Sequence, residues 1–455
     1  MSRRDRIRRT ELATGSEKGY RAMSAPELRR ELDVLSSAFE AFKAQNLKLN
    51  MARGKPSSEQ LDLSAGLLDA LPSTADLHDS AGTDLRNYGG LLGIPEAREL
   101  FAQILEVSSA QVMVGNNSSL NLMYDTVSRS MSRGVRGFKP WSRLDYVKFL
   151  CPAPGYDRHF AVSASFGIAN IAIDMGPEGP DMEMVEHYVN TDPFVKGIWC
   201  VPRYSNPTGV TYSEETVRRF AALHPAAGDF RIFWDNAYAV HDLVPGQGDT
   251  LPSLAQACED AGNPDIWYMF ASTSKITFSG AGISALASSE DNLAEIADQV
   301  GLMTIGPDKI NQARHLAFLR DMDGVRAHMA RHAALLAPRF RVVLETFERE
   351  LKDLGIAVWT RPGGGYFISF DGLPGTARRT VALAREAGVV LTDAGATYPY
   401  GLDHCDTNIR IAPSYPSVDE LLTASELFCI CARIAALETL LSNPGILTNV
   451  SCLMV

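Results

Sequence analysis

No stretch of the chain reaches the 18 or so consecutive apolar residues that a helix needs to cross a bilayer. The best candidate, Leu427 to Leu441, is interrupted by Arg433 and Glu438. A membrane span is therefore not expected. There is also no CxxC pair. The seven cysteines, Cys151, Cys200, Cys258, Cys405, Cys429, Cys431 and Cys452, are odd in number and widely spaced. That excludes a disulfide-dense scaffold and fits reduced thiols in a cytoplasmic protein. Positive charge is scarce: the formal net charge is -11, which argues against a general nucleic-acid binder. Internal repeats and low-complexity segments are absent as well.

What is present is ordinary for a globular protein: 455 residues, 45% hydrophobic, 21% charged and 8% aromatic. The length suggests two or three domains. Charge is unevenly spread. Residues 1–30 carry a net +5, so the remaining 425 carry -16. Arg3, Arg4, Arg6, Arg8 and Arg9 crowd the start. No apolar core follows them, so a secretory signal is excluded. A transit peptide, a nucleic-acid arm or a mis-assigned start codon would share this composition; a solvated tail over residues 1–22 is the expectation.

Ser24, with Glu27 three residues on, forms a capping box before a helix through Leu32, Leu35 and Phe39. From about residue 95, helices alternate with short apolar strands. Strands are expected at Val112–Val114, Tyr146–Leu150, Ile168–Ile173, Gly197–Val201, Arg231–Trp234 and Ile266–Phe270. Helices are expected at Leu120–Met131, Met182–Tyr188, Thr216–Leu223 and Asp308–Leu319. This rhythm predicts an α/β domain with a largely parallel sheet, whose ligands gather at the strands' carboxyl ends. A long helix, Val325–Leu354, leads to a smaller α/β unit. Its expected parts are a strand pair (Val358–Thr360, Gly365–Phe370), a helix at Thr380–Ala387, a strand at Ile409–Ala412 and a last helix at Val418–Leu440.

Four clusters follow strands and would face one crevice. In Ser272-Thr273-Ser274-Lys275, a desolvated lysine flanked by hydroxyls would be a Schiff-base nucleophile, although a surface lysine is the commoner outcome after a strand. Asp235-Asn236-Ala237-Tyr238 offers a carboxylate that can keep a pyridine nitrogen protonated; alone it reads equally as a helix cap or metal ligand. Ser205-Asn206-Pro207-Thr208-Gly209 alone is a turn. In Asn408-Ile409-Arg410, an arginine on a strand requires an anionic partner, and its fork suits a substrate carboxylate.

Together, and in the chain order Asn206-Pro207-Thr208-Gly209, Asp235 to Tyr238, Ser272 to Lys275, Gly363-Gly364-Gly365-Tyr366-Phe367 and Asn408 to Arg410, the motifs resemble class I/II aminotransferases of the fold-type I pyridoxal-phosphate superfamily, from about Arg53 to Leu440. Ala52-Arg53-Gly54-Lys55-Pro56, Asn87-Tyr88-Gly89-Gly90 and Ser274 to Gly282 are similar to the bacterial type Ic aspartate aminotransferases. The resemblance implies a large domain (71–324) with a mostly parallel mixed sheet flanked by helices. It also implies a smaller α/β domain assembled from 23–70 and 325–441, with a tail at 442–455. It implies that Lys275 holds pyridoxal 5'-phosphate and shuttles the proton, and that Asp235 pairs with the pyridinium. Asn206 and Tyr238 would bond the ring's phenolic oxygen, Tyr156 would stack on the ring, and His159 would support Asp235. For the phosphate, Ser118 and Ser119 at a helix start are the best donors, with Asn117 behind them and the hydroxyls of Ser272 and Ser274 added. Tyr88 would reach the phosphate of a neighbouring subunit, which implies a homodimer with shared sites. Arg410 would grip the substrate carboxylate, beside Asn206, Gly54 and Arg53.

Two departures stand out. The arginine that many relatives place about eight residues after the lysine is missing at Ala281-Gly282-Ile283-Ser284. Lys309 of the partner subunit or the helix start would have to balance the phosphate. No arginine for a substrate's distal carboxylate is evident either, which leaves Arg53 as the substitute. The expected reaction is amino transfer between aspartate and 2-oxoglutarate. Alanine or aromatic specificity, a lyase and a cofactor-binding regulator are the alternatives. A regulator would need an upstream DNA-binding domain, and only about 50 residues precede the matched region.

Overall fold

The computed structural model describes residues 19–442. The arginine-rich start and all but the first residue of the tail expected at 442–455 lie outside the described residues.

The first helix, Ala25–Lys43, is capped as expected: the Ser24 backbone N–H donates to Glu27 Oε2 at 2.7 Å. Its apolar stripe of Leu28, Leu35 and Phe39 is buried. Packed structure starts earlier than residue 23. Tyr20 is buried, and its hydroxyl donates to Glu31 and accepts from Arg433 Nε.

The strands are β1 (Leu49–Asn50), β2 (Val112–Val114), β3 (Lys148–Ala153), β4 (Ala169–Gly176), β5 (Gly179–Pro180), β6 (Val195–Cys200), β7 (Arg231–Asp235), β8 (Trp267–Ser272), β9 (Ser284–Ala287), β10 (Ala357–Trp359), β11 (Ile368–Gly372), β12 (Val389–Val390) and β13 (Asn408–Ile411). Eight form one sheet in the order β2-β9-β8-β7-β6-β3-β4-β5. From β8 to β4 every pairing is parallel; β9 is antiparallel to both its neighbours, and β5 is antiparallel to β4. Strands β3, β6, β7 and β8 are almost wholly buried, as sheets covered by helices on both faces require. Separate apolar clusters line the two faces, one around Leu150, Ile198 and Trp234, the other around Phe149, Trp199 and Phe233.

The smaller unit holds the antiparallel sheet β10-β11-β13 and the parallel pair β1-β12. The helices Met322–Leu351 and Val418–Ser442 cover it. Its core joins Leu28, Leu35 and Phe39 to Phe347, Phe370, Leu421 and Phe428. The strand expected to begin at Gly365 begins only at Ile368, and residues 363–367 are a loop. Gly365 has φ +79°, and a Cβ on Gly364 would lie 2.2 Å from the Tyr204 ring. These glycines let the backbone lie against that ring, and pairing resumes only at Ile368.

Candidate active site

The carboxyl ends of the parallel strands deliver the side chains of the site. Strand β7 ends on Asp235 and β8 on Ser272, so Lys275 stands in the turn just beyond. Tyr156 opens the helix Asp157–Ser165 after β3, and Arg410 comes from β13 of the smaller unit.

Asp235 is buried. His159 Nε2 sits 3.0 Å from its Oδ2, and the His159 ring stacks on Trp199 at 4.7 Å between centroids. The other oxygen, Oδ1, is buried without a partner. Such an atom is costly unless a donor arrives. The Lys275 ammonium lies 4.9 Å from the centroid of the Tyr238 ring. Desolvation holds its pKa below the ordinary value, and Asp235 partly opposes that shift. Burial pushes the Tyr238 hydroxyl well above its usual range and Tyr156 to about 12, with Asp235 adding to both. Both phenols are therefore neutral donors at neutral pH.

Asn206 is buried, and its Oδ1 accepts from Arg410 Nη1 at 3.3 Å. That leaves its Nδ2 end to donate into the crevice. The Arg410 guanidinium lies over the Phe367 ring at 5.0 Å and pairs with Asp157 at 2.9 Å. Gly54 passes so close to Phe367 that a Cβ there would sit 2.1 Å from the ring. Gly54 therefore belongs to the wall of the Arg410 pocket. Neighbouring Arg53 is exposed and makes no ion pair among the described residues.

Ser118 is the N-cap of helix Ser119–Arg133. Its hydroxyl donates to Asn121 Oδ1 at 2.8 Å, so the helix's first backbone N–H groups are what an anion would meet. Ser119 is buried beside it. Asn117 Oδ1 accepts from Gly282 N at 2.8 Å and ties this cap to the loop beyond the lysine. The Ser272 hydroxyl donates to Ser274 Oγ at 3.0 Å. Lys309 does not have the freedom expected of it. It is buried, and its Nζ donates at 2.8 Å to the carbonyls of both Asn87 and Gly89. It braces the loop that carries Tyr88, whose side chain is 81% exposed. Two of its three N–H donors are therefore committed to that loop, and the helix start offers further donors to an anion.

Three histidines that the sequence reading missed hold the lysine turn. His241 Nε2 lies 3.3 Å from the Lys275 carbonyl, and His328 Nε2 donates to the Ile276 carbonyl at 2.8 Å. His315 Nε2 accepts from Thr277 Oγ1 at 2.9 Å. His332 links His328 to Gln60, which donates to the Tyr366 hydroxyl beneath Tyr238. The one available signal was the i,i+4 spacing of His328 and His332, which puts both on one helix face.

The chain matches the family model "Aspartate amino-transferase" over residues 23–443. An aspartate aminotransferase of Corynebacterium glutamicum is 48% identical over 404 residues, 88% of this chain and 92% of that protein. The crystal structure of an aspartate transaminase from the same species superposes with a TM-score of 0.90 at 45% identity, covering 93% of this chain and 99% of the other. A Thermus thermophilus aspartate aminotransferase with maleate shares the fold alone, with a TM-score of 0.62 at 18% identity over 89% and 96% of the two chains.

Proposed function

Because the chain belongs to the aspartate aminotransferase family, and is thus a fold-type I aminotransferase, we propose that it uses pyridoxal 5'-phosphate to move the amino group of aspartate to 2-oxoglutarate in two half-reactions. The observation that carries the cofactor reading is the unpaired, buried Oδ1 of Asp235 beside a desolvated lysine, and the 48% identical aspartate aminotransferase supports the choice of substrate. The residues fit the cofactor: a carboxylate without a donor for its pyridinium, hydroxyls and a helix start for its phosphate, and an amine to hold it. When bound, the cofactor supplies an electron sink for the substrate's α-carbon.

The protein's part is positioning and proton transfer. Asp235, fixed by His159, would accept the ring N–H and favour the charged form of that nitrogen. The Tyr238 hydroxyl and Asn206 Nδ2 would donate to the ring oxygen. The Tyr156 ring would stack on the cofactor ring. Arg410 binds the substrate's α-carboxylate and so aims the Cα–H at Lys275. Lys275 Nζ, whose charged form burial disfavours, would remove that proton and hold it for return. In the second half-reaction the same groups act in reverse on the 2-oxo acid.

A partner copy completes this reading. Tyr88, Leu302, Met303 and Ile305 are 81, 70, 64 and 61% exposed. They sit on adjoining loops, since a Cβ on Gly306 would lie 2.4 Å from the Gly89 carbonyl. An exposed apolar patch of this kind suits a subunit interface. Through it Tyr88 would reach the neighbour's phosphate.

Single-turnover spectroscopy tests the assignment. Aspartate and glutamate should convert the lysine-bound cofactor to its amino form faster than alanine or phenylalanine do, and Lys275→Ala should abolish conversion. Faster conversion by alanine would overturn the aspartate reading; turnover by Lys275→Ala would overturn the site.

A further inference from the structure

Arg410 already has a carboxylate. Its Nη1 donates to Asp157 Oδ1 at 2.9 Å, while its other edge meets Thr392 Oγ1 at 3.4 Å from Nε and 3.3 Å from Nη2, the long end of hydrogen bonding. The two charges sit in unequal surroundings. The Arg410 side chain is 9% exposed and that of Asp157 is 36% exposed. A guanidinium so deeply placed is costly without an anion. Asp157 has two other places for its charge. One is the solvent it partly faces. The other is the first turn of helix Asp157–Ser165, of which it is the first residue, where the helix dipole favours an anion. Separation therefore costs Asp157 less than it costs Arg410.

We propose that Asp157 is an internal placeholder. It neutralises Arg410 between turnovers, and the α-carboxylate of each incoming amino acid or 2-oxo acid displaces it. This rests on the reading of Arg410 as the substrate-carboxylate site. The exchange is one carboxylate for another, so the buried guanidinium is never left bare. Every substrate carries the same α-carboxylate, so displacement taxes all of them equally. Asp157 then sets the Michaelis constants without choosing among side chains.

The test is Asp157→Asn in the holoenzyme. It keeps the shape and removes the competing charge. KM for aspartate and for 2-oxoglutarate should fall together. So should the Kd of succinate, which cannot react, followed through the cofactor's absorbance. A decrease of about three- to tenfold is expected for a partly exposed pair. Asp157→Glu, which restores the charge, should return the constants toward the parent values. Asp157→Ser provides a second neutral variant that still suits a helix start. Rising or unchanged constants in both neutral variants would overturn the proposal, since Asp157 would then be a fixed partner that orients Arg410. A parent enzyme that converts no amino acid would instead overturn the underlying reading of the site.

Discussion

At the scale of single residues, the unsettled chemistry concerns a substrate's second carboxylate. Arg53 is the one candidate drawn from the loop that Gly54 presses against Phe367. That loop is tied to the Arg410 strand region by two bonds, Thr392 Oγ1 to the Ala52 carbonyl and Ser414 Oγ to the Lys55 carbonyl. Arg53 itself is exposed and forms no ion pair among the described residues. If it meets the distal carboxylate, Arg53→Ala should raise KM for aspartate and 2-oxoglutarate about tenfold, the loss of one charge-assisted bond, and leave alanine unaffected. An unchanged dicarboxylate preference in steady-state kinetics removes it from the pocket. The candidate residues at strand ends were readable in the sequence because each follows an apolar run and belongs to a motif. Asp157 was not, because nothing in Pro154-Gly155-Tyr156-Asp157 says that a helix start will face an arginine 253 positions away.

At the scale of elements, the lysine turn is the feature to test. Burial holds His241 at about 3 and both His315 and His332 at about 4, against 6.5 for a free imidazole. The folded-state values are depressed, so the unfolded chain takes up protons that the folded chain refuses. Stability is therefore complete above about pH 6.5 and declines as pH falls toward 4, by at most about 1.4 kcal/mol per pH unit for each histidine. Urea midpoints measured across that window should drop, and His315→Asn should make the decline shallower. An unchanged slope would mean that His315 is protonated in the fold. Helix starts and the parallel strands were legible because capping residues and apolar runs are local. Strand β9 was not foreseen: four residues, Ser284–Ala287, too short for an alternating pattern and buried throughout. The histidine brace was also hidden, since its partners come from a loop and two helices that only the fold brings together.

At the scale of the whole molecule, the patch around Leu302, Met303 and Ile305 predicts assembly. Ile305→Asp should shift the protein toward monomer in sedimentation velocity and lower activity by about tenfold or more, if Tyr88 acts across the interface. A stable dimer with full activity would place the interface elsewhere. The smaller unit was anticipated as drawn from both ends of the chain, yet the depth of that union shows only in three dimensions. Helix Ala25–Lys43 shares its core with Val418–Ser442, and Arg433 closes on both Glu31 and Tyr20. During synthesis the first helix leaves the ribosome nearly four hundred residues ahead of the surface that covers it. Leu28, Leu35 and Phe39 must then stay wet, or be held by a chaperone, while the large sheet forms behind them. Helix Val418–Ser442 is the one that lets helix Ala25–Lys43 bury its stripe, so a ribosome that stalls before it releases a chain whose sheet is built and whose earlier helix is still sticky.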